Sequence, residues 1–160
     1  MCEKMVNYIL KICRDLVDQL FSYALNKETE ICGILIGRKI DELNFLITHI
    51  VYDNNPISQN RYSVIRNTIN LHPKVKNITE NWRSERVDFI GDWHSHLNHS
   101  TNYSSKDFDS MKKMLKDRDY SFLNEIILLI ISVPKMIKAY LFSRTDENPE
   151  NMEIVIIEKN

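Results

Sequence analysis

Cysteine is scarce in this chain, and its distribution excludes a disulfide scaffold: Cys2, Cys13 and Cys32 are odd in number and widely spaced, forming neither a bridge framework nor a zinc knuckle. Long apolar runs are missing too. None approaches the roughly 20 residues a membrane span needs, and Met1 onward lacks the charged, apolar and small-residue succession of a secretory signal, so a cytoplasmic protein is expected. There is no excess of charge of either sign. A net charge of -1 and an isoelectric point near 6.5 give no basic footprint for nucleic acid. No repeat, low-complexity segment or linker interrupts the 160 residues, so a single domain over 1–160 is expected, large enough to bury a core unaided.

What the chain does have is His94-Ser95-His96 followed by Ser104 and Asp107. If Val87 to His96 is a strand, its two-residue period puts both imidazoles on one face and turns Ser95 to the other. Asp107 follows a polar loop, at the start of the amphipathic stretch Ser104 to Tyr120, from where a carboxylate can reach back to the same point. Three protein ligands with a fourth position open describe a catalytic zinc site and not a closed structural one. Five His in 160 residues produce a chance His-x-His pair in roughly one of seven such sequences, so the pair by itself carries little. The Ser and Asp behind it, and Glu30 far upstream, add the weight.

Glu30 opens Glu30-Ile31-Cys32-Gly33-Ile34-Leu35-Ile36-Gly37. With it the chain resembles the JAMM (MPN+, Mov34/JAB) zinc metalloproteases, whose signature is a Glu, then His-x-His, seven residues, Ser, two residues and Asp. Residues 97 to 103 are the seven, and Ser105 and Lys106 the two. The resemblance covers about residues 7–143 and is nearest to the prokaryotic JAB branch, where Gly91-Asp92-Trp93-His94-Ser95-His96 is a typical form. One position departs: Leu97 stands where the family usually has Pro, which loosens the loop but removes no ligand.

The resemblance implies roles residue by residue. His94, His96 and Asp107 would hold one Zn²⁺ per chain, Glu30 would be the general base, and Ser104 would donate a hydrogen bond to the oxyanion. It also implies a cytidine-deaminase-like fold. Plainer readings stand beside these. Glu30 is also an ordinary charge at a strand entrance, and Ser104 is also a good N-cap for the helix carrying Asp107, a role compatible with the first. His99 reads as a loop residue, His49 as a solvent-facing strand residue, and His72, before Pro73, as a turn or helix start. Cys32 reads as a small buried residue beside Glu30, with a reactive thiol near the site as the alternative.

Periodicity predicts a strand over Asn7 to Ile12 and a helix over Asp15 to Leu25 with Leu16, Leu20, Phe21 and Ala24 facing the core. A hairpin follows, Ile31 to Arg38 and Phe45 to Asp53, joined by the turn Lys39 to Asn44. Pro56 to Asn60 is predicted as loop, Arg61 to Ile65 as a short strand, and Ile69 to Arg86 as a helix interrupted near Pro73. After the Ser104 to Tyr120 helix come Ile126 to Val133 and Met136 to Ser143, strands around a Pro134-Lys135 turn. Met152 to Glu158 is predicted as an edge strand or a tail. The order of elements predicts a single-domain α/β sandwich with a mainly antiparallel, curved sheet flanked by helices.

By resemblance, the expected function is a zinc-dependent isopeptidase or peptidase that hydrolyses the amide bond after the C-terminal tail of a ubiquitin-like or sulfur-carrier protein, with the tail adding as a strand beside the site. Three settings stay open: a deconjugase in an anti-phage operon with activating and conjugating enzymes, a sulfur-carrier processing enzyme, and a general amide hydrolase. The alternative from another class is a metal-free MPN scaffold that only binds a partner; its mark is loss of motif residues, and here all five are present. A DNA-repair-associated domain is disfavoured, since no helix-hairpin-helix-like region precedes residue 7. The locally basic segment Arg61 to Arg86 reads either as a partner-docking face or as a solvated helix.

Overall fold

The computed structural model describes residues 5–159, so Cys2 lies outside the described residues. The chain opens with strand β1 (Tyr8–Cys13), helix α1 (Arg14–Ala24) and the hairpin β2 (Cys32–Lys39) and β3 (Asn44–Tyr52). Short strands β4 (Ser58–Gln59) and β5 (Val64–Ile65) form a separate two-stranded sheet. Helix α2 (Thr68–Asn81), strand β6 (Asp88–Ser95) and helix α3 (Ser105–Lys116) follow. Strands β7 (Glu125–Ser132), β8 (Met136–Ser143) and β9 (Glu150–Ile157) complete the fold.

The large sheet closes into a barrel in the order β1-β3-β2-β6-β7-β8-β9, with β9 returning to β1. Closure meets the expected mainly antiparallel sheet only loosely: four pairings, β2–β3, β2–β6, β7–β8 and β8–β9, are antiparallel, but β1 runs parallel to both β3 and β9, and β6 runs parallel to β7. The α/β class stands, but the sheet is mixed. Closure corrects the reading of the last strand: β9 pairs along its length with β1 and, through Met152, Asn151 and Glu150, with β8. It is an interior member that removes two open edges, and the sheet extends past residue 143.

Two apolar clusters lie on the two sides of the sheet. The first takes side chains from all seven barrel strands and from Val17, Leu20 and Ala24 of α1. The second lies under α2 and α3 and includes Leu71, Met111, Leu115, Tyr140 and Phe142. β7 shows the logic: Ile127, Leu129 and Ile131 join the first cluster, whereas Ile126, Leu128 and Ile130 join the second. Burial on both faces explains why this strand reads as a continuous apolar run.

Leu16 and Phe21 pack against the first cluster only partly buried, while Val17 takes a central place that the helical pattern did not assign. α2 continues through Pro73, against the expected interruption, and ends at Asn81 before a 3₁₀ turn over Arg83–Glu85. Its start is secured first: the Asn67 side chain accepts from the Asn70 N–H at 3.2 Å. Leu71, Val75 and Ile78, at helical spacing, then hold it on the second cluster, and this packing outweighs the one hydrogen bond that proline forgoes. The Ser104 to Tyr120 helix likewise divides into α3 and a 3₁₀ turn at Arg118–Tyr120.

Two local features aim the strand that matters for function. The β2–β6 register shifts between Leu35, opposite Gly91, and Ile36, opposite Phe89, leaving Ile90 as an extra residue in a bulge. At Gly33 the Trp93 indole crosses the neighbouring strand and donates from Nε1 to the Val51 carbonyl at 3.2 Å. A Cβ on Gly33 would sit 1.8 Å from that carbonyl oxygen and 2.5 Å from Trp93 Nε1, so only glycine admits this approach.

Candidate metal centre

Beyond the bulge, β6 alternates regularly. Trp93 and Ser95 point one way, and Asp92 and His94 point the other with His96, which the backbone bond from His96 N–H to the Ile131 carbonyl (2.8 Å) keeps in line with the strand. Ser95 works structurally: its N–H donates to the Ile31 carbonyl at 2.9 Å and its hydroxyl accepts from the Ile31 N–H at 3.0 Å. The strand end carrying the histidines is thereby fastened to the residue after Glu30. The Ser132 hydroxyl donates to the His96 carbonyl at 3.0 Å.

The start of α3 supplies the carboxylate. Ser104 is its N-cap: the hydroxyl accepts from the Asp107 N–H at 3.1 Å, and the Asp107 Oδ2 accepts from the Ser104 N–H at 2.7 Å. This reciprocal capping box, with Asp in the third helical position, fixes the Asp107 side chain. Asp107 then reaches His94 Nε2 through Oδ1 and His96 Nε2 through Oδ2, each at 3.3 Å. The two Nε2 atoms are 3.0 Å apart. The sequence-predicted trio is therefore brought together, with both histidines buried.

Glu30 is buried at the same place. Its N–H donates to the Asn60 carbonyl at 2.9 Å and its carbonyl accepts from Gln59 Nε2 at 2.9 Å, so the β4–β5 hairpin holds its backbone on both sides. With Ser104 and His96 it lines a cavity of about 130 Å³ to which Arg61, Tyr62, Leu97 and Asn98 also contribute. Ser104 itself is exposed, and its hydroxyl proton is not used by the cap, in which the oxygen accepts.

The electrostatics follow from this crowding. Burial pushes the Glu30 carboxyl above the usual carboxylate range, against the opposing pull of His94 and His96. For Asp107 burial also acts upward, but hydrogen bonds from His94 and His96 overcome it and hold the group well below the usual range. His96 moves up, because its bond to Asp107 outweighs the opposite effect of burial. His96 Nδ1 lies 3.0 Å from the Ser100 carbonyl, which can only accept, so the neutral ring keeps its proton on Nδ1 and offers a lone pair at Nε2, whereas the protonated ring donates from Nε2 to Asp107.

The donor set fits a divalent cation such as zinc. A tetrahedral ion bound to nitrogen and oxygen at about 2.0–2.1 Å places neighbouring donors about 3.3 Å apart, the distance from each imidazole Nε2 to its nearer Asp107 oxygen, and one ligand atom from each of the three residues lies within 4.8 Å of the others. Two facing imidazole nitrogens need a shared proton or a cation between them. The carboxylate beside them supplies the charge that favours the cation, and Glu30 and Ser104 border the same space without joining the donor set.

The remaining candidates fall elsewhere. His99 is an exposed loop residue with a left-handed backbone, φ 56°. His72 is exposed on α2. His49 is a half-buried strand residue away from the centre, bonded to Thr48 Oγ1 at 2.9 Å and edge-on to Trp82 at 4.5 Å between ring centres. The Cys32 thiol is buried, and burial raises its pKa far above the usual thiol range, so it is a packing residue and not a reactive one. Sequence reasoning missed Arg66 and Asp92, an ion pair at 2.9 Å directly behind His94; a lone Asp on the histidine face of the strand was the available signal. Among the described residues no helix is long and apolar enough to cross a membrane.

Comparison with known proteins agrees with this geometry. No curated protein sequence matches the chain. Among solved structures it is similar to protein DSY2949 from Desulfitobacterium hafniense, determined in solution: TM-score 0.64, 19% identity, 94% of each chain covered. At that identity the likeness speaks for the fold. The family model described as prokaryotic homologs of the JAB domain matches residues 14–150, which span β2, β6 and α3 and so every residue of the centre. By that match the chain belongs to the prokaryotic JAB-domain family.

Proposed function

We propose that this chain is a zinc-dependent hydrolase of amide bonds, acting as an isopeptidase or peptidase on the C-terminal tail of a ubiquitin-like or sulfur-carrier protein. One observation carries the reading: His94 Nε2 and His96 Nε2, 3.0 Å apart, each lie 3.3 Å from an oxygen of the Asp107 carboxylate, beside a cavity bordered by a buried carboxyl and a hydroxyl whose proton is not used by the helix cap. His94, His96 and Asp107 would hold the zinc, and when bound it supplies Lewis-acid polarisation of the scissile carbonyl and a nucleophile from water at neutral pH.

The chain's own groups divide the remaining work. The Glu30 carboxylate takes the proton of the attacking water and delivers it to the leaving amine nitrogen, and burial, which raises its proton affinity, suits it to both transfers. The Ser104 hydroxyl donates to the oxyanion, which the capping geometry leaves it free to do. The 130 Å³ cavity is well below the size of ordinary ligand pockets, which supports an extended main chain with small side chains as its occupant. No covalent intermediate is needed.

Elemental analysis of the purified protein, with His96→Ala alongside, tests the reading. About one zinc per chain in the parent and none in the variant is the expected result, followed by release of an amine from tail-fused ubiquitin-like proteins. A parent that takes up no zinc when it is resupplied would refute the hydrolase and favour a partner-binding scaffold.

A further inference from the structure

The centre has a neighbour that the proposed reaction does not use. Asp92 lies on the same face of β6 as His94, and its carboxylate is engaged on one side only. Oδ2 accepts from Arg66 Nε at 2.9 Å. Arg66 is itself fixed, donating to the Tyr120 hydroxyl at 2.6 Å and lying 5.6 Å from the Phe89 ring centre and 5.7 Å from that of Tyr120. The other oxygen, Oδ1, is buried with no hydrogen-bond partner. A buried carboxylate oxygen left unengaged carries a substantial desolvation cost, so its position calls for a physical reason.

The reason lies in what shares its space. Asp92, His94 and Asp107 line one cavity of about 70 Å³ together with Cys32 and Arg66. His94 turns Nε2 toward His96 and Asp107, which leaves Nδ1 on the other side of the ring. His96 has its Nδ1 fixed by Ser100, whereas among the described residues His94 Nδ1 has no direct protein partner. One histidine of the pair is oriented by the protein; the other has an unengaged carboxylate oxygen beside it.

We propose that Asp92 is the positioning residue for His94: its Oδ1 accepts the Nδ1–H through a water molecule, for which the shared cavity has the volume and, in Asp92, His94 and Arg66, the polar partners. That link fixes the tautomer whose Nε2 lone pair faces the centre, and Arg66 keeps the carboxylate aimed. The inference rests on the metal-site reading above. A ligating imidazole held through its second nitrogen by a carboxylate binds metal more tightly, and loss of such a partner weakens binding about 10–100-fold.

The test compares Asp92→Asn and Arg66→Gln with the parent by zinc affinity from chelator competition, by melting of the metal-free chains, and by ¹⁵N spectra of the histidine rings in the zinc-loaded proteins. The Asn variant keeps an oxygen for Arg66 but presents an amide that cannot accept from Nδ1. Its zinc affinity is expected to fall about 10–100-fold, with the His94 Nδ1 resonance displaced, while Arg66→Gln, which keeps the carboxylate but loosens its aim, loses less zinc affinity and more melting temperature than Asp92→Asn. Zinc affinity of Asp92→Asn within twofold of the parent overturns the proposal, as does an affinity loss that merely tracks melting temperature in both variants. If Asp92→Asn does not fold, the zinc-loaded parent decides: a His94 Nδ1–H protected from exchange with solvent supports the role, and one that exchanges as fast as the proton of a free imidazole overturns it. A parent that binds no zinc overturns the metal-site reading itself, whereas a zinc-binding parent with an indifferent Asn variant overturns only the part given to Asp92.

Discussion

Replacing Ser104 by alanine separates the two jobs of that residue, because they differ in size and in the observable they move. The substitution deletes the hydroxyl that accepts from the Asp107 N–H, but the reciprocal bond, from the Ser104 N–H to Asp107 Oδ2 at 2.7 Å, belongs to the backbone and remains. Asp107 therefore keeps its orientation and zinc content should stay at the parental level. Loss of the cap costs about 1 kcal/mol, which for a chain of this length lowers the melting temperature by about 2–4 °C. Loss of a donor to the oxyanion costs about 2.7–4 kcal/mol in the transition state, a fall of about 10²–10³ in kcat. The assay is release of a fluorogenic amine from the C-terminus of a ubiquitin-like protein, with zinc content and melting measured on the same preparations. Ser104→Thr keeps both functions and should recover most of the activity. A zinc-loaded Ser104→Ala variant within threefold of the parental kcat would leave Ser104 as a cap and nothing more.

Glu30→Gln should retain zinc and lose about 10²–10⁴ in turnover, and undiminished turnover would remove Glu30 from proton transfer. For the metal-free chain the signs of the shifts set a stability window. Asp107, held below its ordinary value of 3.8, contributes stability that is lost as pH falls below that value, and His96, raised above 6.5, contributes stability that is lost as pH rises through its folded pKa. Denaturant midpoints should thus fall below about pH 4 through Asp107 and fall above about pH 6.5 through His96, on top of a loss that begins above 4.5 as the buried Glu30 ionises, and the step above 6.5 should be absent in His96→Ala; a profile flat below pH 4 and above 6.5 would contradict the pairing. Gly33→Ala should destabilise by about 1–3 kcal/mol in urea titration, since the added Cβ meets the Val51 carbonyl, and a neutral result would mean the strand yields easily. Truncation after Asn148 removes β9 and opens the edges of β1 and β8, so loss of cooperative melting and aggregation on gel filtration are expected; a monomer with parental melting would show that barrel closure is dispensable.

Much of the centre was legible because its chemistry is local in sequence. The two-residue period of a strand suffices to align His94 with His96, and the preference of Ser for the N-cap places Ser104 where Asp107 can turn back. Other features carry no such signal. Parallel and antiparallel pairings of buried strands show the same apolar runs, so the directions of β1 and β7 against their neighbours could not be read. In β9 only Met152 is buried, and a strand so exposed looks like an edge until its partners are known. The Arg66–Asp92 pair joins the segment after β5 to β6 and leaves no periodic trace. The edge-on contact that half-buries His49 left no trace either, because Trp82 comes from the end of a different element.

These hidden features are the ones that make the readable residues act together. Glu30 and the histidines come from β-segments far apart in sequence, joined by the paired bonds of Ile31 and Ser95, and the β4–β5 hairpin holds the Glu30 backbone from the other side. The same connection continues into α2 through Asp53, whose carboxylate accepts from the Asn67 N–H at 2.6 Å and from Asn70 Nδ2 at 3.0 Å. Arg66 sits next to that anchor, so the bond that starts α2 also fixes the cation behind His94. If His94, His96 and Asp107 hold a metal as proposed, the set drawn from β6 and α3 is complete only when the barrel and the helix are both in place, which would couple metal affinity to folding. Substitutions at Asp53 or in the hairpin would therefore reach the centre without touching a ligand, through the backbone that aims Glu30 and the guanidinium that aims Asp92.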